Sequence, residues 1–316
     1  MLRYSIIGAA VVALFVVLLA IGDNYLLRLA TTVAMYVALA SAWNIVGGFT
    51  GYPSFATAAF FGLGAYACGV AQTYGVPLIL AWILAGAVTA LFASGLGLAI
   101  LHLRGHYFAI GSLVVADVLR EITNSWTSLT GGGMGMNLPL IGGSTGSQAQ
   151  FYLLAMVALA GLSLLAAVLI DNSKLGVALR CIEQNEDAAQ VIGVDTRRAK
   201  VAAFTVSSLL VGVAGGIYAS WVSYIDPIDV YDVSLSVKPI IMALLGGVGT
   251  IAGPVLGAFG FLALEELIWR NSLEFHAGIL GLFVVVLVVF LPGGLRSLQG
   301  RNIWQLATAA FTKRWA

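Results

Sequence analysis

The sequence is poor in charge, cysteine and histidine, and each shortage removes a class of function. Of 316 residues only 9% are charged and 60% are hydrophobic, whereas soluble domains carry roughly 25% charged residues. A water-soluble globular domain is thereby excluded. The formal net charge is +1 with no basic stripe, so nothing neutralises a run of phosphates and no nucleic-acid partner is expected. The two cysteines, Cys68 in an apolar stretch and Cys181 in a charged one, lack metal-type spacing and read as packing or surface residues. His102 and His106 stand at i, i+4, but Gly105 lies between them and no H-E-x-x-H pattern accompanies them; no metal site is expected. None of the lysines lies in a G-x-x-x-x-G-K-[ST] loop, so the chain has no such device for holding ATP itself. No catalytic constellation is visible.

What is abundant is apolar length and glycine. Charge-free windows of about 19 residues recur, and a bilayer core about 30 Å thick asks for roughly 20 such residues per helical crossing. Breaking the apolar runs at Gly, Pro and charges gives ten expected spans: 5–22, 27–46, 52–72, 78–102, 107–123, 151–170, 201–222, 234–247, 252–269 and 276–292. The fold expected is an all-α polytopic transmembrane bundle, with 1–316 forming a single membrane domain. The first span follows Arg3 and lacks a clear A-x-A site, so a retained helix is expected and not a cleaved signal. The 38 glycines suit close helix–helix approach. Span 234–247 is short and carries Pro239, so it is expected to be broken or re-entrant, a form tolerated where protein or a water-filled cavity covers the backbone.

Orientation follows from the Lys/Arg bias of short loops. With both termini cytoplasmic, the inner side receives Arg104, the segment 171–200 and a tail from 293 with Arg296, Arg301, Lys313 and Arg314. The outer side receives 124–150, which has no charge, and 223–233, with Asp226, Asp229 and Asp232 and no base. The segments "VGGFTGYPSFATAAF" (46–60) and "LGGVGTIAGPVLGAF" (245–259) echo one another: a Gly-Gly turn, then Pro, then Ala-Phe at the start of a helix. Transporter halves show such repeats.

Charge is concentrated in one island. From Asp171 to Lys200 stand five bases and five acids, a balance unlike a polybasic lipid anchor. Within it "CIEQNEDAAQVIGV" favours a short helix ended by Gly193. Such a helix cannot cross a bilayer; with Ala188, Ala189, Val191 and Ile192 exposed, it would suit a groove on a soluble protein. Elsewhere Asp117 and Arg120 stand at i, i+3 in the fifth span, spaced to pair along one face. They read either as a structural ion pair near the membrane surface or as lining for a polar solute path.

Asp187-Ala188-Ala189 with Gly193 resembles the E-A-A-x-x-x-G loop of ABC importer permeases, with Asp in the place of the first Glu. The run "RCIEQNEDAAQVIGVDTRRAKVAAFTVSSLLVGVAGGIYA" (180–219) resembles the high-affinity branched-chain amino acid permeases of the LivH/LivM family. So do "SAWNIVGGFTGYPSFATAAFFGLGAY" (41–66), "LRGHYFAIGSLVVADVLREITNSWTSLTGG" (103–132) and "MALLGGVGTIAGPVLGA" (242–258), the last favouring the LivM type. The resemblance implies a type II importer in a bacterial inner membrane: a second, LivH-like permease in a heterodimer, two cytosolic ATPases that bind the ATP and Mg, and a periplasmic solute-binding protein. This chain itself would hold no cofactor and catalyse nothing. The island would be the coupling helix, with Arg180, Glu183, Glu186, Asp187, Ala188, Ala189, Ile192, Gly193, Arg197 and Arg198 at the ATPase contact. Asn44, Tyr52, Ser54, Tyr107 and Ser112, with Asp117, would be the polar groups of the path. The cargo implied is a branched-chain or other amino acid; urea, short amides and aromatic acids are carried by permeases of the same type. The competing readings are an ion-coupled secondary transporter, which lacks a well-placed midplane carboxylate here, and a passive membrane anchor, which has no use for broken, Gly-rich spans.

Overall fold

The computed structural model describes residues 23–103 and 105–271. The expected spans 5–22 and 276–292, Arg104 and the tail from 293 lie outside the described residues.

Helix α1, Asn24–Trp43, starts where the Asp23 carboxylate accepts from the Tyr25 N–H, and it continues as a π-helical turn, Asn44–Gly48. Residues 51–55 carry no regular structure and lead into α2, Thr57–Thr73. Then come α3, Leu78–Ile100, and α4, His106–Ser125. A loop with the single turn α5, Thr127–Thr130, and the strand β1, Met136–Asn137, precedes α6, Thr145–Asp171. The charged island forms α7, Lys174–Gln184, and α8, Glu186–Val191, before α9, Thr196–Val222. After β2, Tyr224–Ile225, and α10, Pro227–Val230, the chain forms α11, Ser234–Gly246, and α12, Gly253–Asn271. The result is an all-α bundle whose described sheet is one antiparallel pair, Met136 facing Ile225 and Asn137 facing Tyr224.

Among the described residues, four helical stretches are long and apolar enough to cross a membrane: Asn24–Gly48, Leu78–Ile100, Thr145–Asp171 and Thr196–Val222. They are used differently. In α1 and its π turn 83% of the apolar window is buried, in α3 only 28%. A helix that is apolar all round and covered is a core element, so α1 is the hub and α3 turns its greasy side, including Ile79, Ile83 and Leu91, outward. Helix α11 has 13 residues, about 20 Å at 1.5 Å per residue, well short of a 30 Å hydrocarbon core. Its first turn is tied to the protein: buried Ser236 accepts from the Ala58 N–H (2.9 Å) and donates to the Phe55 carbonyl (2.6 Å). The span expected to be short is a single uninterrupted 13-residue helix with Pro239 inside it, entered from exposed Asp232, Val233 and Ser234.

Glycine brings the backbones together. A methyl at Gly64 would sit 2.2 Å from the Gly212 carbonyl oxygen, so α2 and α9 cross with main chains touching. The two echoing segments also meet: the Asn44 carboxamide donates to the Thr250 carbonyl (3.0 Å) and accepts from the Gly249 N–H (2.9 Å).

The loops sort into two ends. Arg197 donates to the Leu98 carbonyl and Lys200 to the Leu101 carbonyl, placing 98–101, the island and the 44–50 and 248–250 turns together. At the other end Leu138 bonds Ser223, Thr123 meets Tyr231, and Tyr25 donates to Glu266. This is the alternation that the expected spans require.

Candidate functional site

The island is built as two helices with a break. Ser173 caps α7, and Arg180 reaches back to pair with Asp171. At Asn185 the backbone turns extended (φ −164°, ψ 111°), and its side chain accepts from the Ala188 N–H at 3.0 Å to start α8. Asparagine is a favoured N-cap because it satisfies an otherwise orphan donor; Glu186 and Asp187 follow in the first turn. At the other end the Val194 N–H bonds the Ala189 carbonyl and the Gly193 N–H bonds the Gln190 carbonyl. That pair is a Schellman closure, and it needs Gly193 at φ +88°, where a side chain is disfavoured.

Helix α8 has two faces. Val191 is 87% and Ile192 71% exposed, and Asp187 and Ala188 are exposed with them. Ala189, expected on that outer face, is instead 2% exposed and packs inward. The helical period puts it opposite, where a small residue lets α8 lie close on the bundle. Glu183 lies against Gly51, and Arg197 and Arg198 are exposed, Arg198 paired with Asp195 at 3.0 Å.

Beneath α8 lies its attachment. The Lys200 ammonium, 4% exposed as a side chain, is 2.7 Å from Glu186 Oε1, donates to the Leu101 carbonyl at 2.9 Å, and stands 4.5 Å over the Tyr52 ring. Tyr52 donates its hydroxyl to the other Glu186 oxygen. One carboxylate thus joins α8 to the first turn of α9 and to the irregular 51–55 segment. Burial pushes the Glu186 pKa up, but the hydrogen bonds from Lys200 and Tyr52 and the Lys200 charge outweigh it, and the net shift is downward from 4.5. A depressed carboxylate contributes fully above its unfolded value and loses its contribution as pH falls through the folded one. The attachment is therefore expected to hold at neutral pH and to weaken only on acidification below 4.5. Exchange protection of the α8 amides against pH tests this; unchanged protection well below that value would contradict it.

The sequence singled out Glu186 and Tyr52 for different roles, and the structure bonds them. Lys200, the third member, figured there only as one base of the island; its signal was a lone lysine where α9 turns apolar. Ser54 and Ser112 cluster with Tyr52: the Ser54 carbonyl accepts from Trp43 Nε1 (2.8 Å) and the Ser112 hydroxyl from the Phe55 N–H (2.9 Å). Asn44 clasps the 249–250 turn. Tyr107, 76% exposed, lies on the outer face of α4. Asp117 and Arg120 pair at 3.2 Å with half-exposed side chains.

The bundle, with four described helical stretches long and apolar enough to cross a membrane, defines a polytopic integral membrane protein. Residues 25–291 match the family described as the branched-chain amino acid transport system, permease component, and the chain belongs to that family. It is 26% identical over 295 residues, 84% of this chain and 69% of the relative, to the high-affinity branched-chain amino acid transport system permease protein LivM of Escherichia coli K12. The LivM protein of Salmonella typhimurium LT2 is 27% identical over the same shares. The autoinducer 2 import system permease LsrC of Yersinia pseudotuberculosis O:1b is 31% identical over 200 residues, 59% of this chain and 55% of that one. A solved metal-chelate type ABC transporter in an inward-facing conformation superposes with a TM-score of 0.49 at 14% identity, covering 90% of this chain and 99% of that one. The chain is an ABC importer permease component of the LivM type.

Proposed function

We propose that this chain is the membrane-spanning subunit through which an ATP-driven importer moves branched-chain amino acids into the cell. The end carrying α7 and α8 faces the cytoplasm, as do both termini. Two ATPase subunits, which bind the ATP and Mg, dock on α8; a second, LivH-like permease completes the path; a periplasmic binding protein delivers the solute at the other end. The observation that carries this reading is the build of α8, a rigidly capped helix with apolar Val191 and Ile192 turned outward and Glu186 anchored inward. A push on α8 reaches Tyr52 and then the 51–55 segment, whose backbone holds Ser112 on α4 and Ser236 on α11. Movement of a soluble motor thus acquires a route to the short helix α11.

The assembled transporter tests it. Ala188→Arg, or deletion of 183–192, is expected to cut the ATP hydrolysis stimulated by loaded binding protein at least tenfold while the isolated ATPases keep their basal rate. Full stimulation in both variants would refute the docking assignment. Uptake of leucine by this chain alone, driven by an ion gradient and indifferent to ATP, would refute the importer reading itself.

A further inference from the structure

At the end away from α8 a cavity of about 680 Å³ opens between α1, α9, α11 and α12, within the roughly 300–1,000 Å³ range of ligand sites. Its lining is unusual for an apolar bundle. Tyr36, Tyr218 and Trp221 form an aromatic wall, with Tyr218 and Trp221 packed edge to face at 6.1 Å. Charges of both signs face the same space: Arg28 and Lys238, with Asp229, Glu265 and Glu266, the last accepting from the Tyr25 hydroxyl. Ionisable groups inside a membrane bundle are costly and mark sites or pathways; Lys238 and Glu265 are half-buried here, and Arg28 and Asp229 stand exposed at the mouth.

These charges are not mutually spent. Lys238 and Glu265 pair at 2.7 Å, with Lys238 5.7 Å from the Tyr36 ring centre, and so close one wall. Among the described residues, the Arg28 guanidinium and the Asp229 carboxylate have no ion-pair partner. Burial, and then Asp226 and Asp232 beside it, raise the Asp229 pKa. A loop that crowds three carboxylates attracts a cation, and an unpaired guanidinium fits a carboxylate in two-point contact.

We propose that this cavity binds a zwitterionic amino acid with an apolar side chain: its carboxylate on Arg28, its ammonium at Asp229, its side chain against Tyr218 and Trp221. It would then be a substrate station within this chain on the delivery side, distinct from the polar residues at the α8 end. The inference deepens the importer reading and rests on it. The same pairing of ammonium and anion occurs in the headgroup of phosphatidylethanolamine, so the experiment separates the two sources.

The full transporter is placed in nanodiscs of phosphatidylcholine and phosphatidylglycerol only, without binding protein. Labelled L-leucine should bind saturably; L-leucinol, lacking the carboxylate, and 4-methylpentanoate, lacking the ammonium, should compete at least tenfold more weakly. Arg28→Gln and Asp229→Asn, both at exposed positions, should each raise the leucine Kd at least tenfold while the folded yield and unfolding midpoint of the assembled transporter stay at the wild-type values. Absence of leucine binding, or binding unchanged in both variants, overturns the proposal. So does phosphatidylethanolamine carried through purification by the wild type and lost by both variants, if leucine does not displace it. ATP-driven leucine uptake that persists beside such a negative result leaves the importer reading standing; if no uptake is seen in any form, it is that reading which fails.

Discussion

Replacing Lys200 with methionine is expected to lower the stability of the assembled permease by up to about 3 kcal/mol, the low end of the cost of breaking a buried ion pair, because Glu186 keeps its hydrogen bond from Tyr52. Glu186 is 11% exposed and Lys200 4% as side chains, so water replaces the lost ammonium only in part. The double replacement Lys200→Met with Glu186→Gln should recover most of that loss, because a neutral pair of similar shape leaves no uncompensated charge. Stability and coupling should then part company. Denaturant unfolding of the double variant should approach the wild type, while its stimulated ATP hydrolysis stays depressed, since Tyr52 and α8 are no longer held by one charged group. A Lys200→Met protein as stable and as well coupled as wild type would remove the attachment from the account.

A comparably large loss is expected from a single methyl at Gly64. In Gly64→Ala the new carbon would lie 2.2 Å from the Gly212 oxygen and 2.6 Å from its Cα. These are main-chain atoms of a packed helix and cannot rotate aside, so the cost should reach about 3 kcal/mol, the upper end for overpacking, or prevent folded insertion. Gly161→Ala in α6 is the control: nothing lies within 4 Å of the added carbon, and the change should stay within about 0.5 kcal/mol. Equal behaviour of the two variants in folded yield and unfolding midpoint would mean that the close crossing of α2 and α9 contributes nothing.

The spans were largely legible because the bilayer imposes a length: the apolar runs at 78–102 and 201–222 became α3 and α9 with ends shifted by a few residues. The short α11 was legible from Pro239 and its length. What the sequence concealed is long-range pairing. Tyr52, Glu186 and Lys200 are separated by up to 148 positions, and an island with balanced charge does not say which base meets which acid. The break at Asn185 was only half visible: Asn followed by Glu and Asp is a helix-start signal, but nothing before it ends the preceding helix, and the capping bond to Ala188 is what shows two helices. The facing of Ala189 depended on where that second helix started.

The sheathing of α1 bears on how the protein is made. Its mean hydropathy is 1.5, against 2.7 for α6, because a helix surrounded by protein need not satisfy lipid. During synthesis, however, it emerges before α6 and α9, the neighbours that will wrap it. Until they and the 249–250 turn gripped by Asn44 arrive, it sits in the bilayer with Asn44 and Ser41 uncovered, so nascent chains stopped short of that turn should be the ones that membrane quality control removes.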